Sequence, residues 1–236
     1  MPSVLITGAS RGIGAAAARR FAAAGYDLQL LARPSADFSA LADELAGGDG
    51  RVDLLPLDLG DAAAIPAALA DFIDRCGCPE VLINNAGMAY TGALADMPLR
   101  RWQELIQLNL TAVFQVCQLL LPALRARGGG HIINVSSHAA HQAFPDWGAY
   151  CVSKAALVSL GRCLAVEERP HGIRVSTLTL GAVNTPLWDS ETVDSSFDRR
   201  AMLDAGRAAD ALLYLAQQPA TQVVEDLTLM PAAGAL

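Results

Sequence analysis

A chain of 236 residues, 53% apolar and 17% charged, has enough apolar mass for a large buried core and is long enough for one α/β domain. A net charge of -7 without any basic run excludes a nucleic-acid footprint. The five cysteines and four histidines form no metal spacing, and the odd cysteine count fits a reducing cytoplasm.

Residues 3–7 read as an apolar strand, followed by a G-x-x-x-G-x-G turn (Gly8, Gly12, Gly14) and a helix over 15–24, stopped by Gly25. The same alternation continues. Strands are expected at 27–32, 52–57, 81–84, 131–136, 173–180 and 226–230, and helices at 36–46, 61–75, 98–127, 147–168 and 203–217. Pro66 is expected to disturb the third helix, and Pro122 to kink the long fourth one near its end. No signal peptide is expected, because Gly8 and Arg11 interrupt the first apolar run. The 119–124 run is too short to cross a membrane. Alternating βα units imply a doubly wound, Rossmann-type parallel sheet of about seven strands with helices on both faces. A single domain over 1–236 is expected, with an irregular substrate loop at about 182–203. In such sheets ligands bind at the carboxyl ends of the strands, where Gly8, Asp58, Asn85, Ser137 and Gly181 all fall.

Tyr150 and Lys154 are spaced i,i+4, one turn apart on one helix face. A free phenol, with a pKa near ~10, transfers protons poorly at neutral pH, and an adjacent ammonium favours the phenolate. Lys154 is the only lysine among 17 basic residues, and it falls at the one place where arginine's planar fork is no substitute. Ser137 is placed to hold a carbonyl oxygen beside the phenol, which makes a proton-transfer site for a carbonyl/alcohol pair.

The glycine turn lets a backbone approach a pyrophosphate at a helix N-terminus. A site for NAD wants an acid at the end of the second strand, but Ala32-Arg33 stands there. Arg11 from the turn and Arg33 suit a 2′-phosphate instead, so NADP(H) is the expected cofactor.

With these residues the chain resembles the short-chain dehydrogenase/reductase family along nearly its whole length. Thr7 to Gly14 (T-G-A-S-R-G-I-G) resembles the family's cofactor turn, which implies contacts from Gly8, Ser10, Arg11, Gly12, Ile13 and Gly14. Asp58-Leu59 resembles the adenine contact, and N-N-A-G implies cofactor contacts at Asn85, Ala86 and Gly87. Gly181, Val183 and Thr185 resemble the loop that holds the nicotinamide carboxamide, although Leu180 stands where the family often has proline. The stretch 187–203 is short for a covering loop, which implies a small or open lid. The implied catalytic set is Asn109, whose backbone holds a relay water, Ser137, polarising the carbonyl, Tyr150, transferring the proton, and Lys154, lowering the phenol and gripping the ribose. Tyr150 and Lys154 also touch the cofactor in this reading. Bringing a phenol from ~10 to ~7 requires about 4 kcal/mol.

The resemblance implies an NADPH-dependent reductase of a ketone, aldehyde or 3-oxoacyl group, with a small-molecule substrate and no metal, nucleic-acid or membrane partner. It also implies a cytoplasmic homodimer or homotetramer. A dehydrogenase working towards alcohol oxidation uses the same residues, and a dinucleotide-binding regulator without turnover would have no need of the Tyr-Lys pair. His138 and His141 flank the site, and Met88, Trp147 and Trp188 offer an apolar substrate wall or simple packing.

Overall fold

The computed structural model of the protein describes residues 1–234. Its seven strands are β1 (Ser3–Thr7), β2 (Asp27–Ala32), β3 (Val52–Pro56), β4 (Val81–Asn84), β5 (Gly130–Ser137), β6 (Ile173–Leu180) and β7 (Asp226–Leu229). Between them run α1 (Gly12–Ala23), α2 (Ala36–Leu45), α3 (Ile65–Cys76), α4 (Leu99–Ile106), α5 (Ala112–Arg127), α6 (Gly148–Glu168) and α7 (Ala205–Ala216). The strands form one parallel sheet in the order β3-β2-β1-β4-β5-β6-β7. After β3 the chain returns to the far side of β1, so a crevice opens where β1 and β4 end.

Helices α1, α2 and α7 bury Phe21, Phe38 and Leu212 on one face of the sheet. Helices α3, α5 and α6 bury Phe72, Leu120 and Leu157 on the other. Each such side chain contributes about 1.5–3 kcal/mol on burial. The stretches Leu99–Arg127 and Gly148–His171 are long and apolar enough to cross a bilayer, with mean hydropathy 1.5 and 1.4. The sequence reading had considered only the short 119–124 run. Here both stretches are core helices, with Val116, Leu120 and Leu157 packed on the sheet.

Three elements depart from expectation. Helix α3 starts at Ile65, not at residue 61, because the Asp61 carboxylate first accepts the Ala63 and Ala64 amides at 3.0 and 3.2 Å. Pro66 therefore falls in the first turn, where its missing N–H has no partner to lose. The helix expected over 98–127 is interrupted at Gln107–Thr111 by a π-turn, in which the Ala112 amide donates to Gln107 O, five residues back. Pro122 lies inside α5 without ending it. The third departure is α7, which begins at Ala205 once the Asp204 side chain has capped the Gly206 amide at 2.8 Å.

Candidate active site

The turn after β1 is held open by glycine alone. Gly8 takes φ +68, and a Cβ there would lie 2.8 Å from Ala86 Cα. At Gly14 a Cβ would meet Gly8 O at 2.2 Å, so the first turn of α1 closes directly under the loop. Thr7 ties this loop to its neighbour across the crevice. Its hydroxyl accepts the Asn85 and Ala86 amides, each at 3.0 Å, while Asn85 Nδ2 donates to Thr7 O and Gly8 O. The motif residue Asn84 points away, donating to Asn134 Oδ1 at 2.9 Å and to the Cys117 sulfur.

A cavity of about 440 Å³ opens over this edge. Every cofactor residue inferred from the sequence lines it except Gly14, which is buried beneath the turn. Arg11 and Arg33 are exposed at its rim. Most other arginines pair with carboxylates, and Arg174 is held by the carbonyls of Gln218, Pro219 and Gln222. Among the described residues, Arg11 and Arg33 alone have neither kind of partner. Asp58 keeps one carboxylate oxygen on the Gly60 amide at 2.8 Å. The loop after β6 is kept close by Gly181, where a Cβ would lie 2.5 Å from Pro231 Cδ. Leu180 completes β6 opposite Ser137 and Leu229.

Ser137, Tyr150 and Lys154 line the same cavity, Ser137 from the end of β5 and the other two from α6. Ser137 Oγ accepts the Ala139 amide at 3.2 Å, which leaves its hydroxyl proton free to donate. Burial pushes the Tyr150 phenol up to about 12, against a pull in the other direction from the Ser137 hydroxyl. The expected lowering by Lys154 does not set this value. Lys154 Nζ sits over the phenol ring, 5.7 Å from its centroid, and donates to Val135 O at 2.9 Å. Desolvation brings the Lys154 ammonium down to about 8.

Asn109 lies in the π-turn, 1% exposed, and does not reach the cavity wall. Its side chain accepts the Met88 amide at 2.8 Å and donates to Met88 O at 2.9 Å and Ser153 Oγ at 3.0 Å. It therefore braces the loop after β4 against α6. A π-turn takes backbone groups out of the ordinary helical ladder, which suits the backbone role inferred for this residue.

On the far side of Tyr150 stands an aromatic row. Trp147 meets Tyr150 edge-on at 5.6 Å between centroids, Trp188 lies 5.6 Å from Trp147, and Phe197 5.5 Å from Trp188. Asp146, at φ +64, turns the chain just before Trp147. Trp188 is fixed by its indole N–H on Val183 O at 2.8 Å. His138 reaches the cavity and bonds Gln142 Oε1 at 3.1 Å, whereas His141 does not line it. The sequence reading missed Phe144, Phe197 and Thr192, which lie in irregular loops without periodicity to mark them.

The stretch expected as a small or open lid is fastened down at base and tip. Its base is pinned by the Val183–Leu203 bridge. Arg199 binds Asn184 Oδ1 at 2.7 Å, Asp189 Oδ1 at 2.9 Å and Thr185 O at 2.9 Å. Its tip is latched across the cavity by Thr192 Oγ1 on Ala89 O at 2.7 Å and by the Thr91 amide on Thr192 O at 2.9 Å.

The family profile described as short chain dehydrogenase matches residues 2–195. The chain belongs to the short-chain dehydrogenase/reductase family and is an oxidoreductase. An alcohol dehydrogenase of the archaeon Thermococcus sibiricus, solved with 5-hydroxy-NADP, superposes with TM-score 0.90 at 30% identity, covering 100% of this chain and 99% of that one. L-sorbose reductase of Gluconobacter frateurii, solved with NADPH and L-sorbose, gives TM-score 0.88 at 27% identity over 98% and 95% of the two chains. Sepiapterin reductase of Chlorobaculum tepidum is 31% identical over 98% of this chain and 96% of its own.

Proposed function

We propose that the protein is an NADPH-dependent carbonyl reductase, converting a ketone or aldehyde to an alcohol. The observation that carries this reading is the convergence of Ser137, Tyr150 and Lys154 on one cavity beside the glycine cradle, with the Ser137 hydroxyl next to the Tyr150 phenol. The glycine cradle fits a dinucleotide, and the unpartnered Arg11 and Arg33 fit a 2′-phosphate. When bound, reduced NADP supplies the hydride. Ser137 donates to the carbonyl oxygen and fixes its place. Tyr150 passes its proton to that oxygen as negative charge develops. Lys154, with one N–H on Val135 O, would use its remaining donors to hold the nicotinamide ribose, and its charge stabilises the phenolate that forms. Asn109 holds the loop after β4 in position and, in this reading, anchors the water that returns the proton to Tyr150.

Tyr150→Phe is expected to lower kcat by about 10²–10⁴-fold while leaving NADPH affinity nearly unchanged. Retention of more than about a tenth of the activity would remove Tyr150 as the acid.

We further propose a cytoplasmic homodimer or homotetramer. Phe114 on α5 is 45% exposed, and Val152 and Val166 on α6 are 45% and 67% exposed. These apolar side chains suit a helical interface between copies. All five cysteines are free, which suits a reducing compartment.

A further inference from the structure

We propose that the carbonyl reduced here belongs to an uncharged aryl ketone or aldehyde, whose ring is held against the Trp147–Trp188 pair. The inference rests on the carbonyl-reductase reading and narrows it to a substrate class. The charged residues lining the cavity are Arg11, Arg33 and Asp58, near the glycine turn and the ends of β2 and β3, and Lys154. Beyond Tyr150 the wall is Met88, Phe144, Trp147, Leu187, Trp188 and Phe197. The ring planes of Trp147 and Trp188 are inclined at 59°, and those of Trp188 and Phe197 at 78°. An aromatic row of this kind offers faces and edges to a further ring, in the offset or edge-on arrangements that aromatic pairs prefer.

The side-chain polar groups on this side have partners, the Trp147 indole N–H excepted. Ser190 Oγ and Thr192 Oγ1 bond each other at 3.2 Å, Thr192 Oγ1 also donates to Ala89 O, and His138 Nε2 meets Gln142 Oε1. Arg199, the nearest lid cation, spends its donors on Asn184, Asp189 and Thr185. A carboxylate, phosphate or polyol would be desolvated here against one indole N–H, that of Trp147, too few donors for its several oxygens, and buried unpaired polar groups are strongly rejected. The net charge of -7 also opposes an anionic substrate. Ser137 and Tyr150 are the hydroxyls left for a single carbonyl oxygen.

The test is NADPH consumption with four carbonyls: an aryl methyl ketone, an aliphatic ketone of equal carbon count, a ketose and a 3-oxoacyl coenzyme A thioester. The aryl ketone should exceed the ketose and the thioester by about tenfold or more in kcat/KM. Trp188→Ala should raise its KM about tenfold with little change in kcat, while Trp188→Phe, which keeps a ring, should stay within about threefold. If the alanine variant does not fold, the phenylalanine variant and the substrate ranking decide. A ketose or thioester used best, or an aliphatic ketone used as well as the aryl one, overturns the inference and leaves carbonyl reduction standing. If no carbonyl is reduced although NADPH binds, carbonyl reduction falls, and tryptophan fluorescence decides the ligand class. Saturable quenching by the aryl ketone, weakened in Trp188→Ala, supports an aryl site, and absence of quenching overturns it.

Discussion

Lys154 is 5% exposed, has no carboxylate partner among the described residues and holds one backbone carbonyl. Its ammonium falls from 10.5 to about 8, so burying the charge costs about 3 kcal/mol at 1.36 kcal/mol per unit. Below about pH 8 the folded and unfolded chains both carry this proton, and the folded one bears the full cost. Between about 8 and 10.5 the unfolded chain binds more protons, so wild-type stability rises with pH. Lys154→Met removes the charge and leaves Val135 O unpaired, a loss independent of pH. Urea unfolding should therefore show the variant's stability relative to wild type falling by about 3 kcal/mol between pH 7 and 10. A flat difference would mean that the ammonium is solvated. Activity should be lost at every pH. Arg33→Asp belongs to the same scale. Charge-assisted hydrogen bonds are worth about 1.5–3 kcal/mol, so loss of one phosphate contact should weaken NADPH binding by about ten- to a hundredfold. The kcat/KM preference for NADPH over NADH should vanish or invert. An unchanged ratio would leave the phosphate to Arg11 alone. The residues of this chemistry were legible because each has a chemical peculiarity: a sole lysine, a glycine cluster, an arginine where an acid is usual.

At the scale of elements, strands and helices were legible from periodicity, but their internal breaks were not. A π-turn adds one residue to a turn, and α5 carries apolar residues around enough of its surface that the shift leaves no mark. The lid was harder still. The Thr192–Ala89 latch joins residues 103 positions apart, and Trp147, Trp188 and Phe197 meet only after folding. The latch predicts its own loss of function. Thr192→Val keeps the shape of the side chain and removes the hydroxyl. Losing about 1 kcal/mol should raise the carbonyl KM about fivefold, with kcat within about twofold. Hydrogen exchange should quicken across 186–202 while α6 stays protected. Equal protection in both proteins would show the lid held by Arg199, the aromatic row and the Thr91–Thr192 backbone bond without need of the hydroxyl.

For the molecule as a whole, alternation of strand and helix gave the parallel sheet, and the placement of glycine and charge gave the edge that carries the site. Association with further copies is a property of the surface, where burial against the sheet and burial against a partner leave the same apolar residues in the sequence. The fold separates them, since Val116 and Leu120 face the sheet while Phe114 does not. Phe114→Glu should thus lower the solution mass measured by light scattering without lowering the unfolding midpoint of the separated chain. A wild-type chain already monomeric at micromolar concentration would remove the assembly proposal.

Because the chain's only lysine lies under the active site, the folded surface presents no lysine amine at all. Its positively charged surface side chains all carry guanidinium, and most of these are already tied to neighbouring carboxylates. Enzymes that acetylate, methylate or conjugate lysine would therefore find no surface target on the native protein. An amine-reactive ester added slowly to it would label the exposed Met1 amine at once, and label at Lys154 would report on the opening of the site. Loss of activity and appearance of the label at that residue should then rise together, and a bound dinucleotide should slow both by the same factor.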